Sequence, residues 1–285
     1  MLENQKPPCR CPRCGCDRIA KNGRRKNGTQ KWKCRNPDCP DPYFDDWTGT
    51  CFSSCKLPDE KIRLLLSMTF EDCLEEQICN VVGLSSRTAY VWRLKIYDVA
   101  SRFVASKGML SGKVWFDETF VSVNASQLIL RDGRRLRGIS RNQVAICAGI
   151  DSSGNRFAEV AGKGHPRGAR CLQVYSKHVT KGSHIVHDDF RGHERFAEWN
   201  GGEEEVWPTK DPGSLRAMQP INSFHSSIQR KFVVHIGMLT EYVQMYLDWL
   251  IFETYLDEVE PEEKIAFFVE ANRRVGGDFK VKHRY

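Results

Sequence analysis

Residues 112–120 read GKVWFDETF. The apolar and aromatic residues of this stretch favour a strand, yet two acids, Asp117 and Glu118, stand inside it. A carboxylate buried in a central strand must be paired or metal-bound, because stripping its water costs several kcal/mol. An edge strand with its acids turned outward fits the stretch equally well. What separates the two readings lies downstream. A second apolar stretch, SHIVHDDF at 183–190, also ends in acids, Asp188 and Asp189. Two strands thus deliver carboxylates toward one place, and oxygen ligands converging without sulfur suit magnesium or manganese. The two-residue alternation of a strand turns Glu118 to the face opposite Asp117, in a structural or supporting role.

Around these strands the pattern is regular. QVAICAGI (143–150) and RFAEVAGK (156–163) read as strands joined by the turn DSSGN, and ARCLQVYSKHV (169–179) as a helix. The strand HIVHD, a short helical RGHERFAEW, the strand EEVWP and the helix NSFHSSIQRKFVVHI (222–236) follow. Three meandering strands, then alternating helix and strand, is the order of a ribonuclease-H-like α/β fold, a mixed five-stranded sheet with helices. In that fold acids on the first and fourth strands lie side by side, and a third group comes from the last helix.

The 285-residue chain is long enough for such a core with smaller appendages. The expected division is a zinc ribbon over 1–56, a helix-turn-helix segment over 57–108, the core over 109–258, and a C-terminal helix and tail over 259–285. The formal charge of +7 suits a polyanionic partner. Twelve cysteines, without a signal peptide or a membrane-length apolar run, suggest a cytosolic protein whose clustered thiols bind metal.

Cys11 and Cys14 form one pair inside CRCPRCGC (9–16), and Cys34 and Cys39 form another inside CRNPDC (34–39). Four thiolates from two such knuckles make the tetrahedral sulfur site that zinc prefers, with Cys9 and Cys16 as alternative ligands. A segment this short has no core of its own, so the metal supplies most of its folding energy. Between the pairs, KNGRRKNGTQKWKC reads as a hairpin with two Asn-Gly turns, Asn22-Gly23 and Asn27-Gly28, and a strand carrying Trp32. This segment contains no acid, and Arg24, Arg25 and Lys26 at its centre are the expected DNA contacts. A purely structural knob is the plainer alternative. Cys51 and Cys55 have no matching partners and stay unassigned.

From Pro58 to Val104 the period becomes helical, with apolar stripes at Ile62, Leu65 and Leu66 and at Leu74, Ile78, Val81 and Val82. In ICNVVGLSSRTAYVWRLKI (78–96), Gly83 breaks one helix and Ser85 or Ser86 caps the next, the helix-turn-helix layout. On that reading Ser86, Arg87, Tyr90 and Arg93 face a DNA major groove. Packed helix pairs with a glycine turn are also common without DNA.

CPRC with CRNPDC, the TGT loop, the helix-turn-helix, DET at 117–119, DDFRGH at 188–193 and NSFHS at 222–226 resemble insertion-sequence transposases of the DDE type. More narrowly, the order of motifs and the helical EYVQMYLDWLIF resemble the ISXO-type group, which carries an N-terminal zinc ribbon. The resemblance covers about residues 9–256. It implies a two-metal enzyme that binds the terminal repeats of its own element and cleaves and rejoins DNA there, with water and then a 3'-hydroxyl as nucleophiles. Its partners are terminal inverted repeats and target DNA. It acts as a homodimer or higher oligomer in the nucleoid, without a membrane.

Carried across by motif, Asp117 is the first catalytic acid and Asp188 the second. The third position departs from the commonest pattern: where many relatives have glutamate, this chain has His225, with Asn222 one helical turn before it. His225 is expected as the third divalent-ion ligand, which favours manganese over magnesium, and Asn222 as its neighbour or substitute. An ordinary helix histidine is the plainer reading. Arg230 or Lys231 would touch a phosphate further along the helix. Arg131, Arg134, Arg135, Arg137 and Arg141 form a basic loop able to track a DNA backbone. The rival to this enzyme is a transposase-derived or zinc-ribbon protein that only binds DNA.

Overall fold

The computed structural model describes residues 10–122, 125–235 and 238–276. Cys9, the Ile236 end of the expected 222–236 helix and the basic tail beyond 276 lie outside the described residues. The chain divides into two compact units, Met1–Ser106 with Phe252–Tyr285, and Lys107–Ile251.

The first unit begins with a three-stranded antiparallel sheet in the order β1 (Ile19–Arg24), β2 (Gln30–Cys34), β3 (Tyr43–Asp45). Asn27-Gly28 makes the expected turn, with Gly28 at φ +89° and its amide donating to Arg25 O at 3.0 Å. Asn22-Gly23 does not turn the chain. It sits at a break in register between Lys21 and Arg24, a bulge that Gly23 permits at φ +72°. The third strand, three residues long, carries too little pattern to be read from sequence. Trp32 and Phe44 bury the inner face against Cys11, Cys34 and Cys39.

Helix α1 (Asp59–Phe70) buries Ile62, Leu65, Leu66 and Thr69. Helix α2 (Glu75–Ile78) runs into a single wide turn at Cys79–Gly83, which ends at Gly83 with φ +70°. The Ser85 hydroxyl accepts from the Thr88 amide and opens α3 (Ser86–Ala105). In the same unit the helix Lys264–Val275 sets Phe268 against Phe70 at 5.9 Å between ring centres.

The second unit holds β4 (Lys113–Ser122), the two-residue strands β5 (Leu130–Arg131) and β6 (Arg134–Arg135), β7 (Gln143–Asp151), β8 (Arg156–Lys163) and α4 (Gly168–His178). It continues with β9 (His184–His187), α5 (Glu194–Asn200), β10 (Glu204–Val206), α6 (Ser214–Ala217) and α7 (Gln219–Val234), and enters α8 (Val243–Asp257). The main sheet runs β10-β9-β4-β7-β8, with β4, β7 and β8 antiparallel and β9 and β10 parallel to β4. That order and those senses are the ribonuclease-H-like sheet. β7 is buried at every residue from Val144 to Asp151, as a strand covered on both faces must be.

β4 sorts its side chains by alternation. Phe116 and Glu118 turn toward Tyr175 of α4, with Phe116 and Tyr175 rings 4.5 Å apart. Trp115, Asp117 and Thr119 turn toward α6 and α7. Trp115 Nε1 donates to Ala217 O at 2.9 Å, and Gln229 Nε2 donates to Thr119 Oγ1 at 2.9 Å.

Candidate active site

The site follows from strand register. Lys113, Val114 and Trp115 of β4 pair with His184, Ile185 and Val186 of the parallel β9. Carried two residues on, past the end of β9 at His187, that register directs Asp188 toward Asp117, whose carboxyl feels the Asp188 charge. Asp117 Oδ1 accepts from the Glu118 amide at 2.7 Å, and its Oδ2 lies 4.0 Å from Nδ1 of His225 on α7. Burial, then the charges of Asp188 and Glu118, push the Asp117 carboxyl up to about 7. Burial pulls the His225 imidazole down to about 4, so it is neutral at pH 7 and free to act as a ligand. Its Nε2 is buried without a hydrogen-bond partner among the described residues.

Behind the acids is a second layer centred on His193, which the one-turn helix Arg191–His193 places under β4. His193 Nε2 lies 3.2 and 3.3 Å from the two Glu118 oxygens, and Nδ1 lies 3.3 Å from Asp188 Oδ1. Burial alone would lower the His193 pKa, but the two carboxylates outweigh it and raise it to about 10. Burial alone would likewise raise both acids. Bonds from His193, joined at Glu118 by the Tyr175 hydroxyl, hold Glu118 and Asp188 below their ordinary values. The Phe190 amide adds a 3.0 Å bond to Asp188 Oδ1. Glu118 therefore stands on the face opposite Asp117, as alternation requires. His193 was not singled out from sequence, although it closes the DDFRGH motif, because its partner Glu118 is 75 residues away.

Among the described residues the side chains able to approach one cation here form three overlapping sets, Asp117 with Glu118 and His193, His187 with Asp188 and His193, and Glu118 with Cys147 and Cys171. Among the described residues, Asp117, Asp188 and His225 do not form one set within 4.8 Å. By chemistry the residues suit a divalent ion, two carboxylates and a neutral imidazole whose Nε2 has no hydrogen-bond partner among the described residues, although they do not converge within one 4.8 Å set. Asn222 is exposed, and its side chain bonds to neither acid.

No family model matches this sequence, and no curated protein matches it. Among solved structures the chain is similar to one in a simian T-cell lymphotropic virus intasome bound to the PP2A regulatory subunit B56 gamma, at 10% identity and a TM-score of 0.34, over 65% of this chain and 66% of that one. It is similar to one in a pre-cleavage Mos1 transpososome, at 15% identity and 0.31, over 77% and 80%. It is also similar to the catalytic core domain of BIV integrase, at 15% and 0.31, over 57% and 97%. The chain spans just under two thirds of the first of these. The fold is read from this chain's own strand order and register.

The cysteine cluster matches its expected geometry. Cys11, Cys14, Cys34 and Cys39 bring their sulfurs within 4.8 Å of one another, with Cys11 to Cys39 at 3.8 Å and Cys14 to Cys34 at 3.6 Å. Zinc–sulfur bonds of about 2.3 Å at tetrahedral angles require sulfur separations of about 3.8 Å. The Arg13 and Asn36 amides each donate to a knuckle sulfur at 3.4 Å, Cys11 and Cys34 respectively, as thiolate ligands demand. Cys16 packs beside the cluster and is outside the set.

The expected DNA contacts divide. Arg24 and Lys26 are exposed at the hairpin tip, but Arg24 donates to Gly28 O and Arg25 pairs with Asp45. Ser86 and Arg87 are exposed, Tyr90 is half-buried, and the Ser86 hydroxyl bonds to Glu75. Arg93 is not on that face: it is 4% exposed and donates to Cys73 O at 2.7 Å. It follows Ala89 by four residues and precedes Ile96 by three, so it lies on the buried stripe of α3. Lys231 is corrected for the same reason, buried on the stripe of Ile221, Phe224 and Ile228, whereas Arg230 is exposed. No described helix is long and apolar enough to cross a membrane.

Proposed function

We propose that this chain is a DNA transposase of the DDE type that binds the terminal repeats of an insertion sequence and performs metal-dependent strand cleavage and strand transfer. The observation that carries this reading is the parallel register of β4 and β9, which directs Asp188, just past β9, toward Asp117 of β4, with His225 facing Asp117 from α7. The resemblance of the motifs to the ISXO-type group supports it.

Asp117 and Asp188, with His225, would hold the divalent ions, magnesium or manganese. Bound there, the ions supply activation of the attacking water or 3'-hydroxyl and stabilise the leaving oxygen. The chain's own residues prepare the site. His193 bonds Glu118 through Nε2 and sets Nδ1 3.3 Å from Asp188 Oδ1, so one imidazole charge lies against both carboxylates. Asp117 gives up a proton near neutrality before it can ligate, and the imidazole of His225 is already neutral. The zinc ribbon over 1–56 and the helix-turn-helix over 57–108 hold duplex DNA, through the Arg24–Lys26 tip and through Ser86, Arg87 and Tyr90. The core over 109–258 carries the chemistry, with Arg230 on a phosphate, and a dimer or larger assembly pairs the two ends in the nucleoid.

The test uses purified full-length protein, terminal-repeat DNA and manganese. Asp117→Ala and Asp188→Ala each abolish cleavage and strand transfer while gel-shift affinity for the DNA is kept. Cleavage that persists in either variant refutes the enzyme. A protein that holds DNA but never cuts, with His225 in place of glutamate as its lesion, is the second reading, and cleavage restored by His225→Glu would identify it.

A further inference from the structure

We infer that the zinc-ribbon sheet carries a single-stranded DNA platform on its outer face, separate from the hairpin tip and from the acids of the core. The face is set by pairing. The Arg35 amide donates to Arg18 O at 2.8 Å, Ala20 pairs with Lys33, and Lys33 pairs with Tyr43. By strand alternation Arg18, Lys33, Arg35 and Tyr43 project on one side around the small floor of Ala20, while Ile19, Trp32, Cys34 and Phe44 fill the other.

The outer side chains are exposed, Tyr43 at 55%. Arg18, Lys33 and Arg35 line an open cleft of about 790 Å³ that has no acid in its lining and reaches Pro42, the neighbour of Tyr43. Among the described residues none of these three cations makes an ion pair. Lys33 Nζ rests 5.5 Å from the centre of the Tyr43 ring. The nearby Asp41 is taken up by Arg13 at 3.5 Å. The hairpin tip is different, since Arg24 and Arg25 spend their guanidinium groups on Gly28 O and Asp45.

Unpaired cations facing a cleft without acids complement a phosphodiester backbone, and an exposed aromatic ring among them offers a surface for an unpaired base. A flat sheet face with one aromatic platform suits splayed single-stranded bases better than duplex, whose bases are stacked away from such a ring. The platform would hold a strand separated from its partner near the element's end.

The experiment measures fluorescence anisotropy of the zinc-loaded full chain with a labelled single-stranded oligonucleotide and with a duplex of the same length, over a series of salt concentrations. Arg18→Ala, Lys33→Ala and Arg35→Ala should each weaken single-strand binding and reduce the slope of log affinity against log salt by about 0.7. Tyr43→Ala should weaken it about 5- to 100-fold, as loss of one stacked base does, and Tyr43→Phe should restore it. Arg87→Ala should weaken duplex binding and leave the single strand alone. Zinc content equal to the parent protein shows that each variant is folded. Unchanged salt slopes, a Tyr43→Phe variant as weak as Tyr43→Ala, or losses confined to duplex would each overturn the platform. None of these outcomes depends on whether Asp117 and Asp188 catalyse cleavage.

Discussion

Replacing His193 with glutamine tests the buried charge layer directly. The imidazole is fully buried, its partner Glu118 is 4% exposed, and the pair is joined at 3.2 Å. Raising the imidazole from 6.5 to about 10 is worth about 4 kcal/mol at pH 7. An independent expectation comes from breaking a buried ion pair, which costs about 3 to 5 kcal/mol because the surviving charge is left unpaired. The two agree, so His193→Gln should destabilise the second unit by about 4 kcal/mol. Urea unfolding of the zinc-loaded chain, with hydrogen exchange of the β4 amides to isolate this unit, measures the loss. Glu118→Gln combined with His193→Gln should cost less than the sum of the single changes by about 2 kcal/mol. The sign with pH is fixed as well. A base whose folded pKa is raised contributes its full stability below the unfolded value of 6.5 and loses it as pH climbs toward about 10. The parent protein should therefore weaken across that window while His193→Gln stays flatter. A loss below about 1 kcal/mol, or identical pH slopes, would refute a charged His193.

Three further outcomes follow. Manganese affinity, measured by calorimetry, should rise as pH climbs toward about 7 and then level, because Asp117 must lose its proton to ligate; Asp117→Asn should remove that rise. Chelating zinc, or Cys14→Ser, should abolish exchange protection in β1 and β2 while leaving β4 protected, since the metal is worth about 10 to 16 kcal/mol in a module of this size. Gly149→Ala should destabilise the second unit by about 1 to 3 kcal/mol in urea, since an added Cβ would stand 2.4 Å from the Phe157 ring across the β7–β8 pair.

What could be read from the sequence is what short-range pattern encodes. Acids inside one apolar strand and at the end of another, paired cysteine knuckles and a glycine followed by a capping serine are each visible within a few residues, and the fold forms the corresponding elements. What escaped depends on partners far along the chain or on a stripe followed too briefly. The role of His193 needs Glu118, and Glu118 needs Tyr175 from a third element. By charge Arg93 and Lys231 read as surface cations, but each stands at helical spacing from buried apolar neighbours, Ala89 and Ile96 in one case and Ile228 in the other. A cation on an apolar stripe is held by the interior, as the Arg93 bond to Cys73 O shows. The cations that the proposed DNA contacts can use are therefore those off the stripe, and on the ribbon those are the side chains that share a face with Tyr43 together with those at the hairpin tip.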